Sequence, residues 1–157
     1  MIRRLTPEDK DLMISIIQDK AVLPSIIDDG PLSDVEFLLW SDKVYCLAYD
    51  SGVLFILVPS NLVSYEVHTC ILPQFRGEYA VEAAKLAIEW VFSKTPCQKI
   101  STLIPVINTA AYALACRAGM KKEGINRKSF LKNGCLYDQI IMGLCREDLC
   151  HSQPQLQ

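Results

Sequence analysis

A chain of 157 residues is the size of one domain, and an apolar half set against 22% charged residues excludes a disordered polypeptide. A net charge of -2 argues against nucleic acid as the main partner. The longest apolar run, residues 53–58, is far too short to cross a bilayer, so no membrane partner is expected. The seven cysteines form no CxxC pair, and neither histidine stands at zinc spacing beside two of them. Reduced thiols in a cytoplasm, and no bound metal, are the expectation.

Residues 2–5 read as a first strand. Thr6 caps a helix, with Pro7 at its first position and Asp9 three residues after the cap; Leu12, Ile16 and Ile17 form its buried stripe, which ends before Pro24. Asp28, Asp29, Gly30 and Pro31 are turn residues, and the stretch to Trp40 reads as a second short helix or a loop. The period then changes. Residues 44–49, 53–58 and 64–72 are three successive strands at the spacing of an antiparallel meander, the middle one apolar on both faces and therefore central.

The stretch from Leu72 to Lys94 organises the rest. A strand ends at Pro73, a turn carries Arg76 and Gly77, and a helix follows with Val81, Ala84, Ile88, Val91 and Phe92 on one face. Such a turn aims unpaired backbone N–H groups and a positive helix end at one point, where a phosphate can sit. A plain β-turn-α unit without a ligand has the same pattern. Residues 99–107 form another strand, Asn108 caps an alanine-rich helix over 109–118, Gly119 ends it, and two strands flank the Asn133-Gly134 hairpin turn. No repeat or linker is present. One domain over 1–149 with a flexible tail over 150–157 is expected.

This order of elements resembles the GCN5-related N-acetyltransferase (GNAT) family. The family's phosphate turn, (Q/R)-x-x-G-x-(G/A) after a strand ending in Pro, is echoed from Pro73 through Gln74, Phe75, Arg76, Gly77, Glu78 and Tyr79. Its Asn-x-x-Ala helix is matched by Asn108, Ala111, Gly119 and Met120. Glu123-Gly124, Arg127, Gly134 and Asp138 resemble the final hairpin of the branch that acetylates ribosomal-protein N-termini. The run Glu66-Val67-His68-Thr69 with Leu72-Pro73 and Arg76-Gly77 is also similar to acetyltransferase-like proteins of tailed bacteriophages.

The resemblance implies an α/β (α+β) fold: a mixed, mostly antiparallel sheet of six to seven strands flanked by about four helices. It implies acetyl-CoA as cosubstrate, with the diphosphate on the amides of Arg76, Gly77, Glu78, Tyr79 and Ala80. Ile71 and Leu72 would line the pantetheine, and Asn108 would help place it. Two positions depart from the family pattern: Tyr79 stands at the second glycine, and the frequent tyrosine acid falls on Ala115, with Tyr112 almost a turn too early.

Glu66 and His68 lie two apart on the strand before the turn, so they share a sheet face. Either is a candidate general base, since an imidazole ordinarily titrates near ~6.5. A Glu–His pair that only satisfies itself is the structural alternative. Cys70 shares that face and reads as a buried apolar thiol rather than a nucleophile. Lys121, Lys122, Arg127, Lys128 and Lys132 are solvated positions or contacts for the cofactor's 3′-phosphate or an acidic partner.

The expected activity is acetyl transfer to a primary amine, of a small molecule or of a protein, by direct attack in a ternary complex. The alternative is a catalytically inactive GNAT-fold phage protein acting in head assembly or binding phage structural proteins, located in the host cytoplasm or the virion. Homodimerisation stays open.

Overall fold

The computed structural model describes residues 1–31 and 41–150. The expectations for 32–40 and for the tail beyond 150 lie outside the described residues. Strand β1 (Ile2–Arg4) leads into a 3-10 turn (Pro7–Asp9) and helix α1 (Lys10–Ile17). The helix start is fastened by Asp9, whose carboxylate accepts the Arg3 guanidinium at 2.7 and 2.9 Å and the Thr6 amide at 2.9 Å. Those bonds, Arg3's first, hold the Asp9 carboxyl down to about 2. Met13, Ile16 and Ile17 are buried, while Leu12 is only partly so. Helix α2 (Leu23–Ile26) contains Pro24 near its start, where a missing N–H costs nothing.

The meander follows as β2 (Tyr45–Tyr49), β3 (Val53–Pro59) and β4 (Ser64–Ile71), all antiparallel. Val53, Leu54, Phe55, Ile56 and Leu57 are all buried, which places both faces of β3 against cores. After a 3-10 turn (Pro73–Phe75) come helix α3 (Glu78–Lys94), β5 (Lys99–Pro105) and helix α4 (Thr109–Arg117). Then come β6 (Lys121–Lys132), β7 (Cys135–Cys145) and helix α5 (Arg146–Cys150). The seven-stranded sheet has the order β1-β2-β3-β4-β5-β7-β6, and β4–β5 is its only parallel pair among the described residues.

The alternation of β4 divides the molecule. Tyr65, Val67 and Ile71 face α3 and join a core with Ala83, Ala87, Val91 and Phe92. Cys70 faces α1 and joins Met13, Ile16, Cys46, Leu54 and Ile56. Because successive strand side chains point to opposite faces, Glu66 and His68 lie on the α1 side with Cys70. The alanines of α3 (80, 83, 84 and 87) are buried, so that helix lies close over the sheet. The hairpin after α4 turns at Asn133 and Gly134, with φ of 51° and 74°. Its tip is fastened to the α2 region: Asp29 accepts the amides of both residues at 2.8 Å, and Lys132 Nζ donates to the carbonyls of Pro24 and Ile27.

Candidate active site

The sheet splits at one place. β4 and β5 pair only through Ser64–Lys99, Tyr65–Ile100 and Glu66–Ser101. Beyond that point β4 continues along β3 to Ile71, and β5 continues along β7 to Pro105. Two strands that go on but no longer meet leave facing edges whose backbone groups lack a strand partner. The gap opens into a cleft of about 590 Å³. Ala84, Ala87 and Ile88 of α3, Ala111, Leu114 and Ala115 of α4 and Ala118 just after it line one side. Ser25, Asp28, Ser129 and Phe130 line the other, beyond the sheet.

The wall on β4 is formed by Glu66, Val67, His68, Thr69 and Cys70. The expected pantetheine contacts, Ile71 and Leu72, lie one step beyond this wall: Ile71 packs on the α3-side core and Leu72 on the α1-side core. Glu66 and His68 are brought together as expected. Glu66 Oε1 lies 3.6 Å from His68 Nε2, and the side chains are 33% and 56% exposed, so both are reachable from solvent. Cys70 is buried, and burial pushes its thiol up to about 12, which disfavours a thiolate at neutral pH.

Asn108 lines the cleft, and its Oδ1 accepts the Ala111 amide at 3.1 Å, capping α4. Tyr112 is not among the residues that line the cleft. It packs with Ile104, Ala115 and Met142, and its interaction with Cys116 raises its hydroxyl above the ordinary tyrosine value. Among the described residues no tyrosine hydroxyl lines the cleft, Asp28 and Glu66 are the carboxylates that do, and no lysine or arginine belongs to the lining, although Lys132 Nζ stands close by on the carbonyl of Ile27.

The turn itself is built for exposed amides. Gly77 caps α3 at φ 79° and ψ -138°, a region that a side chain rarely tolerates. The Arg76 amide is already used, donating to Pro73 O at 3.3 Å. The amides of Glu78, Tyr79 and Ala80 belong to the first turn, where no intrahelical acceptor exists, and the positive end of a 17-residue helix adds to their field. The side chains of this turn are directed elsewhere. Arg76 donates to Ala21 O at 3.2 Å, and Glu78 is ion-paired with Arg117.

The Tyr79 side chain is engaged with β2 and the β2–β3 turn. Its ring lies 5.1 Å from that of Tyr49 and 5.2 Å from that of Phe75, and its hydroxyl donates to Asp50. Asp50 and Arg117 had no signal in the sequence. Of the basic concentration, Lys121 pairs with Asp148 at 2.9 Å and Lys132 caps the α2 region, so both are committed within the chain. No group of three or more metal-binding side chains is present among the described residues.

Comparison with known proteins supports this layout. The ribosomal-protein-S5-alanine acetyltransferase from Vibrio fischeri superposes with a TM-score of 0.75 at 14% identity, covering 94% of this chain and 93% of that one. The spermidine N-acetyltransferase from Vibrio cholerae, crystallised with CoA and spermine, gives 0.77 at 19% identity, covering 96% and 97%. A GNAT-family acetyltransferase from Bacillus anthracis gives 0.73 at 18% identity, covering 93% and 94%. The fold is that of the GNAT superfamily, as the sequence resemblance implied. No curated protein matches the chain in sequence. The model of the family described as "Protein of unknown function (DUF2824)" matches residues 6–151, and the chain belongs to that family.

Proposed function

We propose that the protein transfers an acetyl group from acetyl-CoA to a primary amine by direct attack in a ternary complex. One observation carries this reading: the first-turn amides of α3, which have no intrahelical acceptor, follow the same strand whose edge opens the β4–β5 cleft. A diphosphate on those amides and an extended pantetheine along the free strand edges require that arrangement, and the alanine lining leaves room for it. The likeness to an enzyme crystallised with CoA and spermine supports the reading.

The chemistry needs a neutral amine, a polarised thioester carbonyl and a proton for the departing thiolate. The acceptor enters from the α1 side, where the carboxylates of Asp28 and Glu66 favour an ammonium group. Glu66 or His68, directly or through a water, removes the amine proton. The nitrogen then bonds to the acetyl carbon as the carbon–sulfur bond breaks. With Tyr112 outside the cleft lining, the proton for sulfur comes from the His68 imidazolium or from water.

Release of free thiol from acetyl-CoA across a panel of amines tests the proposal. Glu66→Gln and His68→Ala should each lower kcat by about 10²–10⁴-fold while the KM for acetyl-CoA stays within about twofold. Unchanged rates in both variants would discard these bases.

A second reading rests on the lack of a tyrosine in the cleft lining among the described residues: a GNAT-fold protein that keeps its cofactor cleft but acts in assembly, such as in a phage particle, without turnover. It predicts that CoA binds and that no amine yields free thiol.

A further inference from the structure

A helix confines a side chain's rotamers through the turn that precedes it, and a residue in the first turn has no such neighbour. Tyr79 is the second residue of α3, so the helix alone does not fix its ring. Yet the ring is anchored on three sides. It meets Tyr49 edge-on and tilts against Phe75, and its hydroxyl donates to Oδ2 of Asp50 in the β2–β3 turn. That turn is docked firmly on the cradle. Gly52 O accepts the Leu72 amide at 2.9 Å, and a side chain at Gly52 would overlap the Phe75 ring. Asp50 itself sits at φ 50°, a conformation that aspartate tolerates better than most residues.

From this geometry we propose that Asp50 is a positioning residue for the cofactor: by holding the Tyr79 hydroxyl it keeps the aromatic ring off the first-turn amides of α3. The tether does in this chain what a bare backbone does in a cradle with a second glycine. The inference rests on the acetyl-CoA reading above, and it assigns no contact between Asp50 and the cofactor. The neighbouring carboxylate pushes the Tyr79 hydroxyl up to about 12, so the donor keeps its proton at neutral pH. Asp50 also pairs with the Met1 ammonium at 2.6 Å, a contact that Tyr79→Phe leaves in place.

The test compares CoA with pantetheine, which lacks the diphosphate, by titration of the full chain. Asp50→Ala and Tyr79→Phe should each raise the Kd for CoA about tenfold and leave that for pantetheine within about twofold. Once the ring is removed by Tyr79→Ala, adding Asp50→Ala should cost less than about twofold more. Three results would overturn the proposal: a Kd for CoA unchanged in Asp50→Ala, an equal loss for both ligands, or a full Asp50→Ala penalty in the Tyr79→Ala background. A wild-type chain that binds no CoA removes the acetyl-CoA reading and this inference with it. Wild-type binding with an indifferent Asp50 removes the inference alone.

Discussion

The guanidinium of Arg117, at the last residue of α4, is ion-paired with the carboxylate of Glu78, the first residue of α3. Glu78 therefore places a negative charge at the helix end that is proposed to receive a diphosphate, and Arg117 offsets it. Both side chains are well exposed, so the pair contributes little to stability. Its consequence is for ligand charge. Glu78→Gln should tighten CoA by ~2–5-fold, and Arg117→Ala should weaken it by a similar factor. Raising the salt concentration should shrink both effects. Titration at two ionic strengths checks this, and a looser Glu78→Gln complex would speak against the assigned diphosphate position.

Gly77 gives a prediction that separates backbone strain from packing. A Cβ built there meets no atom within 4 Å, so Gly77→Ala introduces no clash. Its φ of 79° with ψ of -138° is nonetheless costly for alanine. Denaturant unfolding should show a loss of ~1–3 kcal/mol, and the relaxed turn should bind CoA more weakly. A variant as stable as the wild type would mean that the turn accepts a different backbone conformation.

The thiols supply a pH-dependent test. Burial raises Cys46 from 9.0 to about 11 and Cys70 from 9.0 to about 12. A thiol whose folded pKa is raised supports the fold fully below the unfolded value and loses that support as pH climbs through the folded one. Stability should accordingly decline from about pH 9 toward pH 12, and less steeply in Cys70→Ala than in the wild type. At neutral pH, alkylation followed by peptide mass mapping should label exposed Cys116 and Cys135 quickly and leave Cys46, Cys70 and Cys97 intact. Fast labelling of Cys70 would reopen the nucleophile reading.

Much of the architecture was legible because it depends on local pattern. The two-residue period of the meander, the Asn133-Gly134 turn and the Asn108 cap each specify their element within a few residues, and each is found. The first helix ends before Pro24, as expected, but that proline also opens α2, which its signature alone did not announce, since proline at a helix start and after a helix end look alike. Helix α5 went unread because five residues carry too little periodicity. The pairing of Glu66 with His68 followed from strand alternation alone. The point where β4 and β5 part could not be read from either strand, because it is set by their separate partners, β3 and β7. Likewise, the direction of Tyr79 depends on Asp50, 29 residues earlier, and that of Glu78 on Arg117, 39 residues later. Contacts across such distances leave no trace in local spacing.

The account stands on the cradle of amides that begins at Gly77, and titrating the full chain with CoA in a calorimeter tests it most directly. A single site per chain is predicted, with a Kd between ~1 µM and ~1 mM, the range in which enzymes hold their substrates. No heat and no thermal stabilisation at millimolar CoA would contradict it.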